Sequence, residues 1–458
     1  MHYLWVLSIS IILFTGCKTR EFSLPKLENH IPDNSSYTYN FTDQNFTGLP
    51  TIQSFIEDDF LISLLNEAFA ENPDWKIAQT RLELAYAEAG YRISYSRPFG
   101  EIGLEFIEGE QKNRITDFQK EKIPNWKVNG LLSWELDLLG KWKHIEESNK
   151  YEILSANQKM QASKISLIHE IAEAWFEIRY LQEDLIILQK SLDNHSSYYE
   201  LYVERQKVGL EENATIIRQF AEKNQVLLEK NQRLRKLDLT KLRLKRLLGS
   251  PLGEISSEIT LLSEQKIPTL PKVIPSWVLR NRPDLQAAES RLVSHFHLEK
   301  SAVLNLYPSF GLNLSGTGMS NSISKPFKLW SAQLGPFLKI PFLSPTRRQK
   351  IEIERVHLKI IESEWKAMIM KGVEEIEAAF VSFKLVKDEL KLSEEITQQS
   401  KRILQTTRKK LTQGIVSQIQ LLEDERRFLN SGRMTLLTRL EFFKAAIGLS
   451  KCLGLSTG

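Results

Sequence analysis

Few side chains in this sequence stand at spacings that could do chemistry. The eight histidines lie at positions 2, 30, 144, 169, 195, 295, 297 and 357. A helical zinc pair needs two imidazoles one turn apart, at i and i+4. His295 and His297 are two apart, so on a helix they point to different sides and belong to a surface or an interface. The sequence contains no phosphate-binding loop, no nucleophile elbow and no Cys/His zinc spacing. Neither catalysis, nor a cofactor, nor a resident metal is expected.

The two cysteines carry more information. Cys17 closes "YLWVLSISIILFTGC", an apolar run of signal-peptide length that ends in small residues. Small residues before a cysteine are the pattern of a lipobox, in which the thiol is acylated and the cysteine becomes the mature N-terminus. Phe14 stands where leucine is usual, and the stretch before the apolar run has His2 but no Lys or Arg. Lys18, not an aspartate, follows, which in the bacterial sorting rule directs an acylated chain to the outer membrane. Residues 1–16 are therefore expected to be a signal peptide and 17–50 an extended N-terminal segment. Cys452 would be alone in the mature chain, with no intrachain disulfide.

A third candidate is the charge run "QIQLLEDERR" at 418–427, whose carboxylates could attract cations or simply solvate a helix. It follows a lone glycine, Gly414, in "RKKLTQGIVSQIQLLEDERR". The same arrangement occurs 205 positions earlier (414 against 209) as "ERQKVGLEENATIIRQFAEK". Further landmarks repeat in the same order. Pro73, Asp74, Ala78, Arg81 and Leu82 match Pro283, Asp284, Ala288, Arg291 and Leu292, and "WKVNGLLSWELDLLGKWKHIEE" matches "WSAQLGPFLKIPFLSPTRRQKIEIE". The chain is a tandem duplication, 51–250 and 276–458, joined by a linker at 251–275 that carries Pro251, Pro268, Pro271 and Pro275.

Each half is expected to hold a short helix, a strand pair and two very long helices of about 100 Å, at ~1.5 Å rise per residue. Ile171, Ala174, Ile178, Leu181, Leu185, Leu188 and Leu192 alternate spacings of three and four, an a/d seam for packing against a neighbouring helix. In the second half the seam becomes Ile376, Ala379, Phe383, Val386, Leu390, Ser393 and Thr397. The return helix repeats the rhythm at Ile217, Phe220, Asn224, Leu227, Asn231 and Leu234. Between the helices the period drops to two. Ile102, Leu104 and Phe106 alternate with Glu101, Gly103 and Glu105. Val128, Leu132, Trp134 and Leu136 oppose Asn129, Ser133 and Glu135. Phe310, Leu312 and Leu314 oppose Gly311, Asn313 and Ser315. Such strands suit a tilted crossing of a bilayer. Four cannot close a barrel, and an open edge in lipid leaves backbone groups unpaired. Three copies would give twelve strands, enough for a lumen.

Composition narrows the alternatives. Lys and Arg total 61 against 57 Asp and Glu, with both signs mixed along the chain, which argues against a nucleic-acid partner. No apolar stretch after residue 20 is long enough for a membrane-spanning helix. A structural coiled-coil lipoprotein would explain the helices and Cys17, but not four strands repeated in register.

With "FTGC", "SWELDLLGKWK", "VGL", "RNRPDLQAAESRL" and "YPSFGLNLSG" in order, the chain resembles the TolC-like outer-membrane factor family, in particular its efflux-lipoprotein branch. The resemblance implies a mainly α fold with β strands. It also implies a homotrimer with a twelve-stranded barrel in outer-membrane lipid and a periplasmic α-helical tunnel. Its implied partners are a periplasmic adaptor and an inner-membrane transporter, of RND type. The implied role is the exit duct of a tripartite pump for small molecules or metal ions, with a duct for protein secretion as the alternative. Val208, Gly209 and Leu210, with Gly414 and Ile415, fall at the adaptor-docking turns. Leu411, Gln420 and Glu423 fall at the periplasmic gate, where the family usually has aspartates at the latter two positions. Gln420 would leave one ring neutral, and Glu423 would keep the other charged.

Overall fold

The computed structural model describes residues 58–106, 110–112, 120–122, 126–250, 261–267, 278–320 and 329–454. Cys17 and the expected N-terminal segment lie outside them. The described chain clusters into two units. One, the strand unit, comprises Ile93–Tyr151 and Leu292–Glu362. The other, the helical unit, comprises residues up to Arg92, Glu152–Arg291 and the chain from Ser363 onward.

The strand unit contains β1 (Phe99–Phe106), β2 (Glu110–Lys112), β3 (Lys120–Lys122), β4 (Trp126–Leu136), β5 (Ser309–Ser320) and β6 (Leu329–Lys339). The two hairpins, far apart in sequence, join through β4 and β5 into one antiparallel sheet in the order β1-β4-β5-β6. The loop expected between β1 and β4 carries a short antiparallel pair, β2 with β3.

The register places the expected residues on the expected faces. One rung runs Gly100–Leu132–Leu314–Leu334, the next Ile102–Gly130–Gly316–Ala332, the next Leu104–Val128–Gly318–Trp330. In the second of these rungs Ile102 lies beside Gly130 and in the third Trp330 beside Gly318, whereas the first sets three leucines side by side. The reverse face carries Gly103–Asn129–Thr317–Ser331 and Phe99–Ser133–Asn313–Gly335. There Ser133 Oγ donates to Asn313 Oδ1 (2.6 Å) and Asn129 Nδ2 to Glu105 Oε1 (3.3 Å). Sequence period two thus becomes a sheet with one apolar and one hydrogen-bonded polar face.

The helices are α1 (Asp59–Glu71), α2 (Pro73–Ser94), α3 (Lys141–Lys207), α4 (Asn213–Leu248), α5 (Val278–Asn281), α6 (Pro283–Leu304), α7 (Pro345–Thr412) and α8 (Gln418–Cys452). α3 and α7, with 67 and 68 residues, reach the expected length of about 100 Å. The return helices do not: α4 has 36 residues and α8 has 35, about 50 Å each. The missing length comes from the short helices. Pro73 opens α2, and Asn72 both caps it, accepting from the Trp75 N–H (2.8 Å), and donates from Nδ2 to the Leu247 carbonyl at the end of α4 (2.7 Å). The two helices therefore abut end to end. In the second half a Cβ placed on Gly454, just beyond α8, would stand 3.9 Å from the Asn281 carbonyl oxygen and from Pro283. The repeated Pro-Asp pair marks where a second helix takes over from the first.

The long seams hold with one correction. Ile171, Ala174, Ile178, Leu181 and Leu188 are buried, but Leu185 and Leu192 are only half-buried. From Leu181 the buried line runs instead through Asp184, Leu188, Ser191, His195 and Tyr198, still at spacings of three and four. Polar residues hold core positions there because charged partners meet them, as shown below. On α4 the expected seam faces outward: Ile217 is 61% exposed and Phe220 51%, while Ile216, Gln219, Leu237, Thr240 and Leu244 are buried. The sequence pattern was an apolar face, but not the one packed within the chain.

His169 of α3 is buried, with Nε2 at 2.9 Å from the Ser450 hydroxyl of α8 and Nδ1 near the Ile165 carbonyl. Burial pushes its pKa down to about 4, so it is neutral in the native state near pH 7.

Gly249 ends α4 in the left-handed conformation, φ +79°, and a Cβ there would stand 2.5 Å from the Glu71 carbonyl oxygen. Gly414 has a similar φ, +72°, but open space. Gly414→Ala is expected to cost only the conformational penalty, about 1 kcal/mol, and Gly249→Ala clearly more because backbone must move. Chemical denaturation of the two variants checks the order.

Candidate functional site

Two helix reversals and one sheet face are the features that the fold leaves for function. Both reversals are built alike. Gly209 (φ +77°) donates to the Gln206 carbonyl and Leu210 to that of Arg205, both at 2.9 Å. Gly414 donates to the Leu411 carbonyl and Ile415 to that of Lys410, also at 2.9 Å. This paired capping needs a residue at positive φ, which glycine adopts without strain. The tips are apolar and uncovered: Val208 is 69% exposed, Leu210 64% and Ile415 65%. Arg205 Nε and Glu211 Oε2, 3.3 Å apart, tie the two sides of the first reversal.

After the second reversal Ser417 caps α8, its hydroxyl accepting from the Gln420 N–H (3.3 Å). The Gln420 side chain does not stand free: Nε2 donates to Asp424 Oδ1 (3.3 Å), and the buried Asp424 also accepts from the Thr407 hydroxyl (2.7 Å). Glu423 is paired one turn ahead with Arg427 (2.7 Å). Leu411, half-buried, continues the packed line Leu404–Thr407 of α7. The structure therefore brings Gln420 together with Asp424 and Thr407, a buried polar knot the sequence reading passed over. Asp424 lies in an unbroken charge run, and only packing shows that its side chain turns inward.

A second set of residues was also missed. Asp184 of α3, fully buried, accepts from Arg433 of α8 (2.8 Å) and Arg233 of α4 (3.0 Å), and Arg433 also grips Glu229 of α4. Burial opposes the Arg433 charge, but the Glu229 and Asp184 carboxylates outweigh it and raise its pKa. The Arg433 hydrogen bond in turn holds Glu229 below the usual range. Arg426 reaches Glu222 (3.1 Å), and its guanidinium lies over the Tyr198 ring. Burial pushes Tyr198 up to about 12. Asn194 of α3 donates to the Leu422 carbonyl (3.2 Å). Glu222–Arg426 and Glu229–Arg433 both span 204 positions, and successive pairs are seven residues apart. The two return helices are thus linked by two pairs two turns apart, each one residue short of the 205-residue repeat offset. A seven-residue search of each helix alone does not reveal this, because each pair takes one member from each half.

The apolar sheet face is solvent-exposed in the single chain: Ile102 is 86% exposed, Leu334 75% and Trp330 72%. Phe106 and Trp126 pack edge to face at one end of it. Among the described residues its outer strands, β1 and β6, each pair on one side only. An antiparallel sheet with one apolar and one polar face is the kind of element from which outer-membrane channel walls are built. The chain belongs to the outer membrane efflux protein family, whose sequence profile matches residues 64–250 and 274–455.

Among similar proteins is nodulation protein T of Rhizobium leguminosarum bv. trifolii, 25% identical over 81% of this chain and 80% of that one. Cation efflux system protein CusC of Escherichia coli is 24% identical over 84% and 83%. The probable efflux pump outer membrane protein TtgC of Pseudomonas putida is 22% identical over 88% and 84%. Among solved structures, CusC superposes with a TM-score of 0.80 at 19% identity, covering 96% of this chain and 99% of that one. The outer-membrane channel CmeC of Campylobacter jejuni does so with 0.77 at 18%, covering 91% of each.

Arg433→Ala is expected to lower stability by about 3 kcal/mol, since it strips a partner from a buried carboxylate. The double change Asp184→Leu with Arg433→Met should recover much of that, because Arg233 and Glu229, 3.7 Å apart, still pair with each other. Denaturation of the single and double variants checks the asymmetry.

Proposed function

We propose that this chain is the outer-membrane exit duct of a tripartite efflux system, acting as a homotrimer that passes small molecules or metal ions. The observation that carries this reading is the sheet. Four strands with one exposed apolar face and two half-paired edges have no stable place in water or lipid until other copies complete the ring. Three copies supply twelve strands, with the Ser133–Asn313 and Asn129–Glu105 face turned to a wet lumen.

The helices support the same assembly. α7 packs one seam within the chain, through Ile376, Phe380, Phe383 and Leu390, and exposes a second, through Val381, Leu385, Leu392, Ile396 and Ile403. The exposed line Ile217, Phe220, Leu227 and Leu234 of α4 is another. A helix in a closed cylindrical wall has a neighbour on each side, so it needs two seams. The reversals would form the periplasmic end. Val208, Gly209, Leu210, Gly414 and Ile415 present the apolar tips to an adaptor, and an RND-type inner-membrane transporter supplies the energy. Leu411, Gln420 and Glu423 are assigned to the gate. Gln420 is committed to Asp424, which leaves Glu423 with its partner Arg427 as the charged element facing the opening.

The duct reading expects a trimer on gels that dissociates on heating, and discrete conductance steps from purified protein in planar bilayers. A monomer without conductance would sink it. Glu423→Ala removes the closer of the two carboxylates that Arg427 meets, so cation preference should drop and the closed state should be less populated. Arg427→Ala should raise cation preference. Unchanged selectivity in both variants removes Glu423 from the gate. Acylation at Cys17 is likewise proposed, and metabolic labelling with palmitate should be lost in Cys17→Ala.

A further inference from the structure

The two strand-to-helix junctions of the strand unit expose apolar side chains that nothing among the described residues covers. Between β6 and α7 the backbone runs Ile340-Pro341-Phe342-Leu343-Ser344, with Ile340 61% exposed, Phe342 85% and Leu343 81%. Leu343 has φ +50°, in the left-handed region, and is the one non-glycine at positive φ among the described residues. The first junction gives this conformation to a glycine, Gly140 at φ +81°. A leucine held at positive φ is strained, and such strain persists where something compensates it. Its exposed side chain makes no internal packing that could do so. At the first junction Leu138 is 64% exposed and Leu139 38%.

Basic residues flank both apolar tips: Lys141 and Lys143 at the start of α3, and Lys339, Arg347 and Arg348 around the start of α7. Arg347 is fixed by a 2.6 Å hydrogen bond to the Asn305 carbonyl, and lines with Lys141 and Lys339 a small cavity of about 90 Å³. The nearby acids are engaged: Glu135 pairs with Lys141, and Asp137 accepts from the Lys143 N–H (2.8 Å). Both junctions directly follow the rung Leu136–Phe310–Leu338, the last of the apolar sheet face at this end.

We propose that the two junctions form an interfacial collar that docks the anionic headgroups of the bilayer leaflet at this end of the sheet. Leu138, Leu139, Phe342 and Leu343 enter the acyl boundary, and Lys143, Lys339, Arg347 and Arg348 meet lipid phosphates. An apolar face that ends in a basic rim is the arrangement by which proteins sit at the headgroup level of an anionic membrane. The collar rests on the duct reading, which makes the apolar face the lipid-facing one.

The test uses the full-length protein in detergent, titrated with dioleoyl phosphatidylglycerol or dioleoyl phosphatidylcholine. Unfolding temperature and native mass spectrometry are the readouts. Phosphatidylglycerol should raise the wild-type unfolding temperature by several degrees and phosphatidylcholine by less than half as much. Leu343→Gly relieves the backbone, so without lipid it should unfold no earlier than wild type. With phosphatidylglycerol it should lose at least half of the shift, and Arg347→Gln with Arg348→Gln most of it. No wild-type shift, an equal shift with phosphatidylcholine, or a full shift in Leu343→Gly overturns the collar. Loss of the trimer in Phe342→Ser with Leu343→Gly would assign the surface to another copy of the chain, and also overturns it. Conductance is measured on the same samples. Absent conductance in the wild type counts against the duct reading, whereas retained conductance with a lost lipid shift in the variants supports the collar.

Discussion

Backbone hydrogen bonding at the edges of the four-stranded sheet is the constraint on which the rest depends. Among the described residues β1 and β6 each have one paired and one unpaired side, and one face of the sheet between them is apolar. Water penalises the face and lipid penalises the edges. Neither solvent suits the lone chain, and in the proposed duct closure with other copies satisfies both demands. The bulky-beside-small rungs and the hydrogen-bonded polar reverse face are features of a sheet built for two different surroundings.

The helical unit answers the same demand with side chains. A helix pair in isolation needs one seam, yet α7 carries two and α4 exposes a full apolar line. The buried seams pack within the chain, and the exposed ones are the surfaces that the proposed trimer would cover. Where the buried seam of α3 turns polar, at Asp184, Ser191 and His195, direction and pairing replace bulk. Asp184 draws one arginine from each return helix, which fixes the register of the two halves as apolar contacts, tolerant of sliding, do not.

The duplication explains why this works. Two homologous return helices placed at equivalent heights can exchange charges at a constant spacing, as Glu222–Arg426 and Glu229–Arg433 do. The halves have diverged where symmetry is not wanted. The first reversal has no side-chain cap on its second helix, while the second is capped by Ser417 and backed by the Asp424–Thr407 knot. The reversal with the side-chain cap is the one assigned to the gate in the proposed duct.

The sequence by itself determined the local elements. Period two placed Ile102, Leu132, Leu314 and Leu334 on one face, since a strand's side chains alternate whatever surrounds it. Gly209 and Gly414 marked the reversals, since few other residues accept that φ. The duplication was legible in the Pro-Asp pairs and the repeated glycine. Tertiary structure alone decided which apolar faces are buried: the lines on α4 and α7 look alike in sequence, yet one is covered and the other is not. It also decided that α4 and α2 share a length expected of one helix. The inward turn of Asp424 and the pairing of Asp184 were hidden for the same reason. A carboxylate among other charges reads as solvated until the fold brings its partner, on the facing helix, to within hydrogen-bonding distance, as Thr407 is to Asp424 and Arg433 to Asp184.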